Sequence, residues 1–218
     1  MQKFGTTAPI TAVLDIPAGR IQFIAADRTD TTVEVRPADA SKSRDVKVAE
    51  QTTVEYADGV LRIVTATKHQ ILGNSGSIEV TVQLPTGSQV EAKAAGAEFR
   101  AVGQFGEVAF EAAQGEIKVD EAASVRIATK AGNVSIGRLN GSGEITTLQG
   151  DLKIDEAVCG TVVLATQAGN ISVGSAASAA LDAGTTVGRV QNSLKNSGET
   201  DLTVKATTVQ GDITAHSL

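Results

Sequence analysis

The chain has 218 residues, a formal net charge of −6 and 41% hydrophobic residues, enough to bury a substantial core. With no Trp, one Tyr and five Phe, that core must be built from Val, Ile, Leu and Ala. The acidic balance and the scarce aromatics exclude the basic, stacking surfaces that nucleic acids require.

The first ninety residues read as antiparallel strands. ITAVLDI (10–16) and RIQFIAA (20–26) flank Pro17-Ala18-Gly19, a turn signal. TTVEVRP (31–37) alternates polar and apolar residues with the period of a half-buried strand. ADASKSRD (38–45) and GNSGS (73–77) are polar loops, and helix signals are nearly absent. TTVEY (52–56) and VLRIV (60–64) surround Asp58-Gly59, a hairpin signature. IEVTVQLP (78–85) closes the region as one more strand. The predicted division is therefore 1–90, antiparallel strands capping a solenoid, and 91–218, the solenoid itself.

The second region repeats one phrase, Thr-x-x-Gly followed by a polar residue and an aliphatic. The copies are TKAGNV, TLQGDL, TQAGNI, TTVGRV and TVQGDI, with a degenerate AAQGEI before them. Their glycines, Gly115, Gly132, Gly150, Gly169, Gly188 and Gly211, differ by 17, 18, 19, 19 and 23 residues. A period near twenty means stacked coils of chain that bury their apolar faces on one another. The fold predicted is all-β, a single-chain β-solenoid of about six coils. Aliphatics two residues beyond each glycine (Ile117, Val134, Leu152, Ile171, Val190, Ile213) point inward. Each threonine sits beside a corner, where hydroxyls bond one another or cap turn amides. The widest step contains QNSLKNSGETD (191–201), read as a loop extruded from one coil.

Chemistry is sparse. His69 and His216, the only histidines, read as solvated surface groups. The pairs Asp120-Glu121 and Asp155-Glu156 recur two coils apart, roughly 9–10 Å by layer spacing, near the separation of inverting-glycosidase carboxylates. They read as acidic groups at solvated corners. Glu116, Asn133, Asp151, Asn170 and Asp212 share one column, interrupted by Arg189. One oxygen per layer does not make a calcium shell, so turn-stabilising hydrogen bonds are expected there. Cys159, the only cysteine, excludes an intrachain disulfide and reads as a small, partly buried hydrophobe. No catalytic residue, cofactor or metal site is predicted.

LDIPAGRIQF, then IEVTVQLPTGSQVEAKAAGAEFRAVG with its Leu84-Pro85-x-Gly87 turn, then the repeated coils, resemble the bacterial putative-adhesin or toast-rack β-repeat family. The resemblance implies a right-handed β-helix-like fold, no catalytic residues, and links to membranes or envelope-stress systems. The function expected is a non-catalytic structural or interaction scaffold. The alternative is an adhesin-like recognition domain using the coil faces and the 191–201 loop, and a remote one is a polysaccharide-acting enzyme. Met1–Asp15 lacks the apolar stretch of a signal peptide, and no run reaches membrane-spanning length. A cytoplasmic protein with no direct membrane insertion is expected. The last coil, DITA at 212–215, is followed by only three residues, so its open edge predicts a homodimer through that end.

Overall fold

The computed structural model describes residues 1–66 and 76–218, and among them 17 strands and one helix form two compact units, Met1–Gln114 and Gly115–Leu218. His69 lies outside the described residues. The chain is nearly all-β, as its repeat implies.

In the first unit the strands are β1 (Gln2–Gly5), β2 (Thr11–Ala26) and β3 (Asp30–Pro37), then helix α1 (Ser43–Glu50). β4 (Thr52–Ala57), β5 (Val60–Thr65), β6 (Ile78–Pro85) and β7 (Gln89–Gln114) follow. The pairing is mixed rather than antiparallel throughout. β4 and β5 form the expected hairpin, with Asp58 (φ 52°) and Gly59 (φ 77°) in its turn. β3 runs antiparallel to β1 and β6.

β2, however, passes through Pro17-Ala18-Gly19 as a corner and does not fold back on itself. Its residues 11–15 lie parallel to both 60–64 and 89–93. Its residues 19–24 likewise lie parallel to both 78–83 and 97–102. The first coil is therefore sandwiched between the layer of β5 and β6 and the layer of β7. The second half of β7 makes a further layer, in which Phe110 stacks on Phe99 with ring centroids 4.5 Å apart. All five Phe and the one Tyr of the chain lie in this unit, with Phe23, Phe99 and Phe105 fully buried.

Helix α1 is where the sequence reading and the structure part. Patterning assigns residues 43–45 to a polar loop, because Lys42, Arg44, Asp45 and Lys47 look solvated. The helix holds because Asp45, 7% exposed, accepts the Ser77 amide at 2.9 Å. Thr52 Oγ1 donates to the Val48 carbonyl at 2.8 Å near its end. Both partners are tertiary or lie beyond the segment, so local patterning carries little trace of them.

The second unit comprises β8 (Ile117–Ala131), β9 (Val134–Leu139), β10 (Gly143–Thr146), β11 (Leu152–Ala157), β12 (Gly160–Ala168) and β13 (Ile171–Ser175). It continues with β14 (Ala179–Val187), β15 (Val190–Ser193), β16 (Leu202–Gln210) and β17 (Ile213–Ser217). All these layers are parallel. One sheet runs from residues 125–128 of β8 through β10, β12 and β16 to β14, and the other from residues 117–122 of β8 through β9, β11, β13 and β17 to β15. The last coil in sequence is thus threaded between the third and fourth. The reading of 212–215 as an open end is corrected: β17 is hydrogen-bonded on both sides, and β14 with β15 forms the end. Burial agrees, since Ile213 is 1% exposed and its column neighbour Val190 is 44% exposed.

The segment 191–201 is a loop only from residue 194 onward. Residues 191–193 belong to β15, and 194–201 is the strap that carries the chain back one layer. It is stitched down by Lys195 N–H to Ser217 Oγ (2.8 Å), Ser197 N–H to Ser178 Oγ (3.0 Å) and Asp201 N–H to the Ser178 carbonyl (2.9 Å).

Candidate functional site

The repeated phrase builds a corner whose polar members close hydrogen bonds within a coil or between layers. At Gly150 the backbone has φ 143°, and a Cβ there would overlap the carbonyl oxygen of Gly132 in the layer below. Only glycine combines that dihedral with so close an approach. The threonine lies inside the corner and not beside it: Thr129, Thr147, Thr166 and Thr208 are 4–6% exposed. Their hydroxyls donate to carbonyls, Thr166 to Gly150 at 3.2 Å and Thr208 to Gly169 at 3.1 Å. They cap neither turn amides nor one another.

The polar residue after each glycine forms a ladder. Asn133 Oδ1 accepts the Asp151 N–H (2.9 Å), Asp151 Oδ1 the Asn170 N–H (2.7 Å), and Asn170 Oδ1 the Asp212 N–H (2.9 Å). Asp212 Oδ1 then accepts the Arg189 N–H at 2.8 Å. Each side chain satisfies a backbone donor that the corner would otherwise leave unpaired. Arg189 ends the ladder because its coil is the outermost, so nothing beyond it needs an acceptor. Among the described residues no group of His, Cys, Asp or Glu is arranged to hold a metal ion.

The two acidic pairs do occupy equivalent places two layers apart, with Ser135 in register between Lys118 and Lys153. What separates the carboxylates is Arg138, in register with both Glu121 and Glu156. Its guanidinium donates to Glu156 at 2.5 Å and to Asn140 Oδ1 at 3.0 Å, while Asn140 Nδ2 donates to Glu121 at 2.8 Å. Arg138 fills the gap that an inverting hydrolase would reserve for water and substrate. Asp155 pairs with Lys153 at 2.7 Å, both more than half exposed. The arrangement is a ladder of ion pairs and hydrogen bonds along one sheet.

His216 and Cys159 both differ from their sequence readings. His216 is half-buried, in register between Gly174 and Ser193. Cys159 is exposed and not partly buried. It sits at a corner where its thiol donates to the Asn140 carbonyl at 3.0 Å, a position that repeat spacing alone did not reveal.

The outward face of β8, β10, β12, β16 and β14 is a set of straight columns. One reads Arg126, Glu144, Val163, Lys205, Asp182, and its neighbour Ala128, Thr146, Ala165, Thr207, Gly184. No helix among the described residues is long and apolar enough to cross a membrane.

A family model described as Toastrack DUF4097 matches residues 13–217. The chain belongs to that family. The Toastrack chain matches none of the curated proteins. Among solved structures it resembles a putative adhesin from Bacteroides fragilis NCTC 9343, with TM-score 0.50 and 13% identity over 98% of this chain and 95% of that one. It is also similar to a putative cell adhesion protein from Clostridium sporogenes ATCC 15579 (TM-score 0.42, 13% identity, 98% and 94% coverage). A putative adhesin from Parabacteroides distasonis ATCC 8503 gives TM-score 0.42, 13% identity and 98% and 95% coverage. At such identity the first likeness speaks for the Toastrack fold alone, and the other two superpose too loosely to carry an argument.

Proposed function

We propose that this Toastrack chain is a non-catalytic interaction scaffold, serving a bacterial envelope or surface system. The observation that carries the reading is how its polar residues are spent. The Asx column and Thr166, Thr185 and Thr208 bond layer to layer, Glu156 and Asp155 are tied to Arg138 and Lys153, and Glu121 is tied to Asn140. What is left for a partner is a face of aligned columns centred on Arg126, Glu144, Lys205 and Asp182. Such a regular face suits a large partner with a repeating or extended surface better than a small substrate. The adhesin description of the Bacteroides fragilis structure supports the surface connection. The exposed thiol of Cys159, without a cysteine to pair with, suits a reducing compartment, which supports a cytoplasmic location on the inner side of that system.

The test is a charge reversal of the face, Arg126→Glu with Lys205→Glu, in purified protein incubated with envelope fractions of the source bacterium. Loss of co-sedimentation, with unfolding unchanged, supports the reading. Hydrolysis of an envelope glycan that disappears in Glu121→Gln or Glu156→Gln would replace it with the enzymatic one.

A further inference from the structure

The outermost coil of the second unit is unfinished as a β-structure. The Leu202 N–H bonds the Ser178 carbonyl, so in the parallel ladder residues 180, 182, 184 and 186 of β14 face β16. The amide and carbonyl groups of Leu181, Ala183 and Thr185 therefore point the other way, where no strand among the described residues meets them. The Ala179 N–H on the same edge is taken by the Lys195 carbonyl of the strap (2.9 Å). On the opposite sheet the Ile213 N–H bonds the Arg189 carbonyl, which leaves Val190 and Asn192 of β15 facing outward in the same manner.

Between the two edges the apolar interior ends uncovered: Leu181 and Ala183 are half-buried and Val190 is exposed, although each continues a fully buried column. The edge is lightly guarded, the strap reaching only Ala179. β14 (AALDAGTTV) has one charge, Asp182, and β15 (VQNS) has none, with no Lys or Pro in either. The outer strands of the first unit differ in every respect. β1 and β4 are antiparallel to their neighbours, carry Lys3 and Glu55, and are joined by the Phe4–Tyr56 ring contact at 5.5 Å.

We propose that this end is the interface of a two-fold homodimer in which β14 pairs antiparallel with β14 of a second copy, centred on Ala183. A second copy is favoured over an extended peptide because a peptide strand would satisfy one edge and leave the other edge and the apolar interior wet. A second identical end presents both edges and a matching apolar patch at once. Charge selects the register. Centred on Asp182, the pairing would set two carboxylates directly opposite each other, which is destabilising. Centred on Ala183, it sets Asp182 against Gly184. It also matches the outward-facing groups, Ala183 with Ala183 and Leu181 with Thr185, each as a hydrogen-bonded antiparallel pair. The contact is isologous, so it closes at two copies and does not propagate.

The experiment is light scattering of the intact chain at micromolar concentration, which should give about twice the 22.3 kDa monomer mass. Ala183→Pro removes an N–H that faces away from β16 and should give the monomer mass with the β-sheet circular dichroism retained. In case that variant fails to fold, a second arm uses Ala183→Cys in a Cys159→Ser background, which should form an intermolecular disulfide under mild oxidation. Lys205→Cys, one strand further in, should not. A wild-type monomer, a dimer whose Ala183→Cys variant does not crosslink, or larger assemblies would each overturn the proposal.

Discussion

At Gly150 a single Cβ decides whether two layers can stack. Gly150→Ala is expected to destabilise by about 3 kcal/mol or more, since it combines a strained positive φ with overlap onto a backbone carbonyl. Asp155→Ala, which removes an exposed pair with Lys153, should stay within about 0.5 kcal/mol. Denaturant titration of the two variants checks the contrast, and equal effects would mean that the corner is not the constraint. Within the Asx ladder, Asn170→Ala should cost about 1 kcal/mol and Asn170→Asp much less, because the acceptor for the Asp212 amide survives only in the second. These columns were legible in the sequence because glycine, threonine and Asx recur at one offset. The direction of the threonine was not: a hydroxyl beside a turn has amides and carbonyls equally near in sequence, and only the stacked layer shows that a carbonyl receives it.

Among the elements, the short edge strand β1 adds an ion pair to its ladder with β3 and to the Phe4–Tyr56 contact. Asp30, opposite Gly5 in the β1–β3 register, meets Arg28 and Lys3, each at 2.9 Å. The hydrogen bond from Arg28, followed by that from Lys3, holds its carboxyl down at about 2, against an ordinary 3.8. A carboxyl depressed by folding stabilises above its ordinary value and loses that contribution as pH falls through the folded one. Protection factors of the β1 amides, corrected for the intrinsic pH dependence of exchange, should therefore fall between about pH 4 and pH 2, while Asp30→Asn should show them already lowered at neutral pH. An Asp30 titration midpoint near its ordinary value, read by NMR, would remove the basis for this. The strands themselves were readable from alternation and the hairpin from Asp58-Gly59. Helix α1 was not, because Asp45 is held by Ser77, thirty-two residues away, and eight residues rich in charge look like a solvated loop.

For the molecule as a whole, coil order departs from chain order in both units. β2 lies between later layers in the first, and β16 with β17 lies between earlier layers in the second. This was invisible to repeat analysis because the apolar columns are unchanged when layers are permuted. Leu202, Val204 and Ala206 fit equally well against any coil of the series. One trace was present: Asn192 stands in an inward column otherwise filled by Val119, Ile136, Ile154, Val173 and Ala215, as suits a coil with only one neighbour. The order predicts unequal deletions. Removing 179–201 takes away an end layer and should leave a folded, less stable protein. Removing 202–217 takes away the partner of β12, β13, β14 and β15 together and should abolish cooperative unfolding; the reverse ranking would refute the order. During synthesis on the ribosome the fourth coil emerges before the one that belongs inside it. Until residues 202–217 clear the exit tunnel, β14 and β15 have no bonding neighbour, and a vacant slot one strand wide lies open to the strands of other nascent chains. The hazard of misassembly is therefore concentrated in the interval between the emergence of β15 and that of β17, and a chain cut short before Leu202 would lack the layer that seals its interior.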